Sequence, residues 1–89
     1  MEIEISKRFV RDTQKITDKR ILSKIQKILC EAKNAEVLAD FKNLEEMAGS
    51  SGFYRIKFDY RYRIGIYFSG DKVQFLRVGS RENFYKKFP

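Results

Sequence analysis

Isoleucine alternates with glutamate in Glu2-Ile3-Glu4-Ile5, and this period of two predicts a half-buried strand. Ser6 follows as a helix N-cap, and the helix behind it bears Phe9, Val10, Thr13 and Ile16. Thr17 is placed to cap a second helix. There the apolar residues Ile21, Leu22, Ile25, Ile28, Leu29 and Ala32 recur every three or four positions, with Lys19, Lys24, Gln26 and Lys27 on the other side. So short a connection predicts an antiparallel helical hairpin. Residues 37–47 show a helix-like spacing of Val37, Leu38, Phe41, Leu44 and Met47 but run into the turn composition Ala48-Gly49-Ser50-Ser51-Gly52, so their type stays open.

After Gly52 the period changes. Residues 53–58, 61–68 and 72–78 are rich in aromatic and β-branched side chains, which predicts three strands, and Ser69-Gly70-Asp71 marks a hairpin between the last two. Alternation sends Tyr54, Ile56 and Phe58 to one face of the first strand and Arg55 and Lys57 to the other. Tyr62, Ile64, Ile66 and Phe68 oppose Arg61, Arg63, Gly65 and Tyr67 in the second. An odd-length turn around Asp59, Tyr60 and Arg61 superimposes the two apolar faces and gathers Arg55, Lys57 and Arg63 on the opposite side. An odd second loop adds Arg77 opposite Arg63 but also exposes Val73 and Phe75, whereas a two-residue loop buries Phe75 together with Arg77. Ser80 stands where an N-cap belongs, before a short terminal helix carrying Arg81, Phe84, Tyr85 and Phe88. The expected architecture is α+β: an N-terminal strand and helical hairpin packed on one face of an antiparallel β-meander, with a short C-terminal helix, in one domain over residues 1–89.

Charge sharpens this picture. Nineteen Lys and Arg against 12 Asp and Glu give +7 over 89 residues, the footprint of a protein that meets phosphates or an acidic partner. Like charges facing one another across strands cost about 0.2–1 kcal/mol per pair, which an arriving anion relieves. The chain has no histidine, which excludes a Cys/His zinc site and an imidazole base. Cys30 is the only cysteine and lies in an apolar run, so it reads as a packed core thiol in a reducing compartment. The N-terminus has neither the apolar run of a signal peptide nor that of a membrane span, and a cytoplasmic location is expected.

The stretch Gly52-Phe53-Tyr54-Arg55-Ile56-Lys57, then Tyr62-Arg63-Ile64 with Tyr67, then Val78-Gly79-Ser80-Arg81 with Tyr85-Lys86-Lys87 resembles the second half of the RelE/ParE toxin superfamily. Lys42 and Leu44 echo that superfamily's Lys-Leu element before the meander. The resemblance implies a toxin of a type II toxin-antitoxin system that needs no cofactor or metal. In the RelE branch it implies an endoribonuclease acting on mRNA at the ribosome by attack of the RNA 2'-hydroxyl; in the ParE branch, an inhibitor of DNA gyrase. A third reading is an RNA-binding domain with weakened catalysis.

Carried over, the resemblance makes Lys57 the general base, Arg63 and Arg81 the transition-state arginines, and Tyr85 the aromatic that stacks or assists proton transfer. Glu82 is a competing base. Arg55, Arg61, Arg77, Lys86 and Lys87 are expected to bind RNA. A lysine base needs neighbouring cations that destabilise its ammonium, and Arg55, Arg63 and Arg81 supply that sign. Arginine suits the phosphate because its planar fork stays charged and bonds in pairs. Ser80 replaces the superfamily's frequent histidine, Phe58-Asp59-Tyr60-Arg61-Tyr62-Arg63 replaces its Gly-Asp-Tyr-Arg turn, and Gly65 enters the strand. Arg63 and Arg81 lie outside the apolar face, so replacing either is expected to spare the fold. The partner is expected to be an acidic or amphipathic antitoxin segment that covers the basic face or displaces the terminal helix.

Overall fold

A computed structural model describes all 89 residues, Met1–Pro89. The elements run β1 (Glu2–Ile5), α1 (Lys7–Gln14), α2 (Lys19–Asn34), a 3-10 turn (Leu38–Asp40), β2 (Leu44–Glu46), β3 (Phe53–Phe58), β4 (Tyr62–Ser69), β5 (Lys72–Ser80) and α3 (Arg81–Lys87). The α+β expectation holds. The meander is the centre of a five-stranded sheet ordered β1-β5-β4-β3-β2. β1 does not lie on the face of the meander, because its backbone amides and carbonyls need partners and find them in parallel pairing with β5. The open segment 37–47 divides into the 3-10 turn and β2, a three-residue edge strand on β3. No helix is long and apolar enough to cross a membrane.

Ser6 caps α1 as its sequence implies, its Oγ accepting the Phe9 amide at 3.0 Å. The cap of α2 is Asp18 rather than Thr17, with the carboxylate accepting the Arg20 amide at 2.9 Å. The helices lie on the face lined by Ile56, Phe58, Ile64, Ile66, Val73, Phe75 and Val78, and Phe9, Ile21, Ile25 and Ala32 close the core. Phe9 meets Phe75 edge-on at 5.7 Å between ring centres. Cys30 is exposed, contrary to its reading as a core thiol. Five residues beyond Ile25 and two before Ala32, it is rotated well over 90° from that buried stripe.

The β3–β4 loop is odd, with Phe58 opposite Tyr62 and Lys57 opposite Arg63. The β4–β5 conflict is resolved by a bulge that sequence reading did not offer. A two-residue loop sets Phe68 opposite Val73 and Ile66 opposite Phe75, and then the register shifts so that Gly65 faces Arg77 and Arg63 faces Gly79. Leu76 is the extra residue, and the shift lets Val73, Phe75 and Val78 all point into the core. The displaced Leu76 carbonyl accepts the Ser6 hydroxyl at 3.0 Å.

The other face of the sheet carries a second, smaller packing centre under α3. Phe84 is fully buried, and Phe88 packs against it at 5.0 Å between ring centres and meets Phe53 edge-on at 5.8 Å. Gly65 makes this possible, since a Cβ there would lie 2.6 Å from the Phe88 ring. We therefore expect Gly65→Ala to cost about 1–3 kcal/mol through overpacking. Thermal unfolding and faster amide exchange confined to α3 are the readouts. An unchanged midpoint with α3 still protected would contradict this packing.

Candidate active site

β3, β4 and α3 bring the candidate residues to one end of the sheet. Lys57, Arg63 and Arg81 line one shallow depression together with Asn43, Asp59 and Tyr60. Lys57 projects from β3 into solvent, and its amide donates to the Asn43 carbonyl at 3.2 Å, fixing the strand edge beside it. Arg81 is the first residue of α3; its side chain is 53% exposed and reaches only Glu82, at 3.7 Å. Its amide donates to the Arg61 carbonyl at 2.7 Å, which ties the start of α3 to the β3–β4 loop.

Arg63 does not sit free on the surface. It is only 8% exposed, and its Nη1 donates to the carbonyls of Tyr60 at 3.2 Å and Tyr62 at 2.9 Å, while the buried Nε–H has no acceptor within the protein. This corrects the expectation that replacing Arg63 spares the fold, because the guanidinium holds the hairpin loop as well as lining the depression. Asp59 secures the same loop from outside, taking Arg20 at 2.6 Å and Lys24 at 2.5 Å. Hydrogen bonds from Lys24 and Arg20 draw the Asp59 carboxyl below its ordinary range.

Arg55 lies two residues from Lys57 on the same face of β3, about 6.6 Å away along the strand. Its Nη1 donates to the Tyr85 hydroxyl at 2.7 Å and its Nη2 pairs with Glu45 at 3.0 Å. The Arg55 guanidinium carbon stands 5.7 Å from the centre of the Tyr85 ring. Tyr85 is 44% exposed, with Phe84 edge-on to its ring at 5.2 Å. Arg61 and Lys86 are exposed, on the loop and on α3. A hydrogen bond from the Glu82 amide, with the Ser80 hydroxyl and the Arg61 and Arg81 charges, holds the Glu82 carboxyl below the usual range and therefore ionised.

Two residues expected on the basic face are engaged elsewhere. Arg77 donates from Nε and its terminal nitrogen to both Asp12 oxygens, at 2.9 and 3.1 Å, and Lys87 reaches the same carboxylate at 3.3 Å. The register explains this: the bulge turns Arg77 away from Arg63 and toward α1. Asp12 is 4% exposed and also accepts the Val78 amide at 3.0 Å. Burial opposes its ionisation, but the Arg77 hydrogen bond, the Val78 amide and the Lys87 charge outweigh that and lower its pKa. Sequence reading overlooked Asp12. Its position three residues after Phe9, on the inward stripe of α1, was the available signal.

No family model matches the chain. Toxin RelE3 of Methanocaldococcus jannaschii is 34% identical over 90 residues, covering 100% of both chains. Among solved structures, the RelB-RelE antitoxin-toxin complex from Methanococcus jannaschii contains a chain that is 32% identical, with a TM-score of 0.82 over 97% of this chain and 99% of that one. More distant likenesses concern the fold alone. The E. coli RelBE toxin-antitoxin complex matches with a TM-score of 0.68 at 18% identity over 89% of this chain and 94% of that one. The E. coli DinJ-YafQ complex matches at 0.65 and 16% over 94% and 97%. The full-length relative and the shared architecture together place this chain in the RelE family of toxins.

Proposed function

We propose that the protein is an endoribonuclease toxin that cleaves mRNA on the ribosome, in the cytoplasm, and is held inactive by a cognate antitoxin. The observation that carries this is the grouping of Lys57, Arg63 and Arg81 around one open depression, with Tyr85 and Arg55 beside it. Three cations converge where the sheet end and α3 leave room for a phosphodiester. The partner is inferred from the RelB-RelE and DinJ-YafQ complexes in which similar chains occur.

In this mechanism the RNA 2'-oxygen bonds to the adjacent phosphorus while Lys57 takes its proton. The five-coordinate phosphorane gathers negative charge. Arg81 meets it directly, and Arg63 adds its charge while keeping the hairpin loop in place. The bond to the 5'-oxygen breaks, and that oxygen leaves with the electron pair and takes a proton from the Lys57 ammonium or the Tyr85 hydroxyl. The products are a 2',3'-cyclic phosphate and a 5'-hydroxyl, and no water is consumed. Glu82, already ionised beside Arg81, steadies that arginine rather than accepting the proton.

A single 2'-deoxynucleotide on the 5' side of the cut tests the chemistry. Ribosome-bound mRNA carrying it is expected to resist cleavage at that bond, and undiminished cleavage there would refute attack by the 2'-oxygen. Binding is also expected to weaken with salt. For about three neutralised phosphates on a single strand, the logarithmic slope is about −2, so affinity falls about ten- to twenty-fold between about 50 and 200 mM salt. A flat response would show that the cations do not meet phosphates.

A further inference from the structure

The tip of the β3–β4 hairpin holds two consecutive non-glycine residues in the left-handed region, Asp59 at φ 47° and Tyr60 at φ 62°. Glycine or asparagine takes this conformation at far lower cost than tyrosine. Such strain persists only where its surroundings over-determine it, and here they do so from three sides. Arg20 and Lys24 hold the Asp59 carboxylate, Arg63 holds the Tyr60 and Tyr62 carbonyls, and the Arg81 amide holds the Arg61 carbonyl. The Tyr60 ring gains nothing for the fold in return. It is 83% exposed and belongs to neither packing centre.

What the ring does have is position. Tyr60 lines the same depression as Lys57, Arg63 and Arg81. Along β3 the order is Arg55 with its bound Tyr85, then Lys57, then the loop that carries Tyr60. In strand order the lysine therefore lies between two residues with exposed aromatic side chains. A single-stranded nucleic acid is held by cations under its phosphates and by aromatic faces under its bases. Arg61, exposed next to Tyr60, offers charge to the neighbouring phosphate.

We propose that Tyr60 is a stacking platform for a nucleobase beside the scissile phosphate, pre-set by the clamped loop. The proposal deepens the nuclease reading and rests on it for the substrate. Every base presents a π face, so the contact fixes where the strand lies more than which base is read.

The test uses a short single-stranded RNA carrying 2-aminopurine, whose fluorescence is quenched by stacking, alongside cleavage of mRNA in a translation extract. The wild-type protein is expected to quench the probe, and Tyr60→Phe to do so equally. Tyr60→Ala is expected to lose the quench, weaken binding about ten-fold or more, and slow cleavage. An RNA abasic at that position is expected to bind wild type and Tyr60→Ala alike. Because the native φ is positive and the ring is exposed, Tyr60→Gly is expected to raise the melting temperature while losing the quench, a combination that a purely structural tyrosine does not give. If the extract shows cleavage but Tyr60→Ala matches wild type in quench and rate, the Tyr60 assignment falls and a protein partner becomes the ring's ligand. If no mRNA is cleaved while the quench still depends on Tyr60, the nuclease reading falls and the nucleobase site stands.

Discussion

Arg81→Ala is expected to lower mRNA cleavage by about 10²–10³-fold, the usual loss when one pre-positioned donor to a developing oxyanion is removed. Stability is expected to stay within about 0.5 kcal/mol of wild type, because the side chain is half exposed and makes only a long contact to Glu82. Arg81→Lys keeps the charge but not the planar pair of donors, and is expected to recover only part of the activity. Arg63→Ala differs in kind. It removes a buried guanidinium from two loop carbonyls, so activity and stability are expected to fall together. Single-turnover cleavage on programmed ribosomes, set beside urea unfolding of each variant, separates the two outcomes. Full cleavage by Arg81→Ala would remove it from the site.

Asp12→Asn is expected to give the largest loss of stability, about 3 kcal/mol or more, because it strips the charge that Arg77 and Lys87 share inside the protein. The consequence reaches the candidate site through α3. Lys87 fastens the end of that helix to α1 by way of Asp12, and α3 also carries Arg81 and Tyr85. The folded-state pKa of Asp12 is depressed, so its contribution is fully present above its unfolded value of about 3.9 and is lost as pH falls through the lower folded value. Wild type is therefore expected to lose stability steeply below about pH 4. Asp12→Asn, less stable at neutral pH, is expected to show a shallower acid limb. Urea midpoints across that range check this, and equal acid slopes in both proteins would contradict the assigned role of Asp12.

The helical stripe of α2, the three strands of the meander and the basic row of β3 were legible because each depends on a period within one element. Pairing between elements was less so. The odd β3–β4 turn followed from matching two apolar faces, but the β4–β5 register depended on a bulge at Leu76 that no residue type announces. That one displaced residue decides whether Arg77 joins the basic face of the sheet or turns to Asp12. Lys87 was likewise expected to bind RNA, because a sequence does not reveal that α3 returns its last turn to α1. Gly65 looked like a defect in a strand and is the space that Phe88 occupies. The grouping of Lys57, Arg63 and Arg81 was accessible from the motifs, whereas the burial of Arg63 and the strained, clamped Tyr60 loop belong to the folded hairpin alone.

Mapping mRNA 5' ends after adding purified protein to a translation extract tests most directly whether the Lys57–Arg63–Arg81 depression cleaves RNA. New 5'-hydroxyl ends within codons at the ribosomal A site, produced by wild type and absent with Arg81→Ala, are the expected result. An unchanged set of mRNA ends, with gyrase-linked DNA breaks in cells expressing the protein, would contradict it.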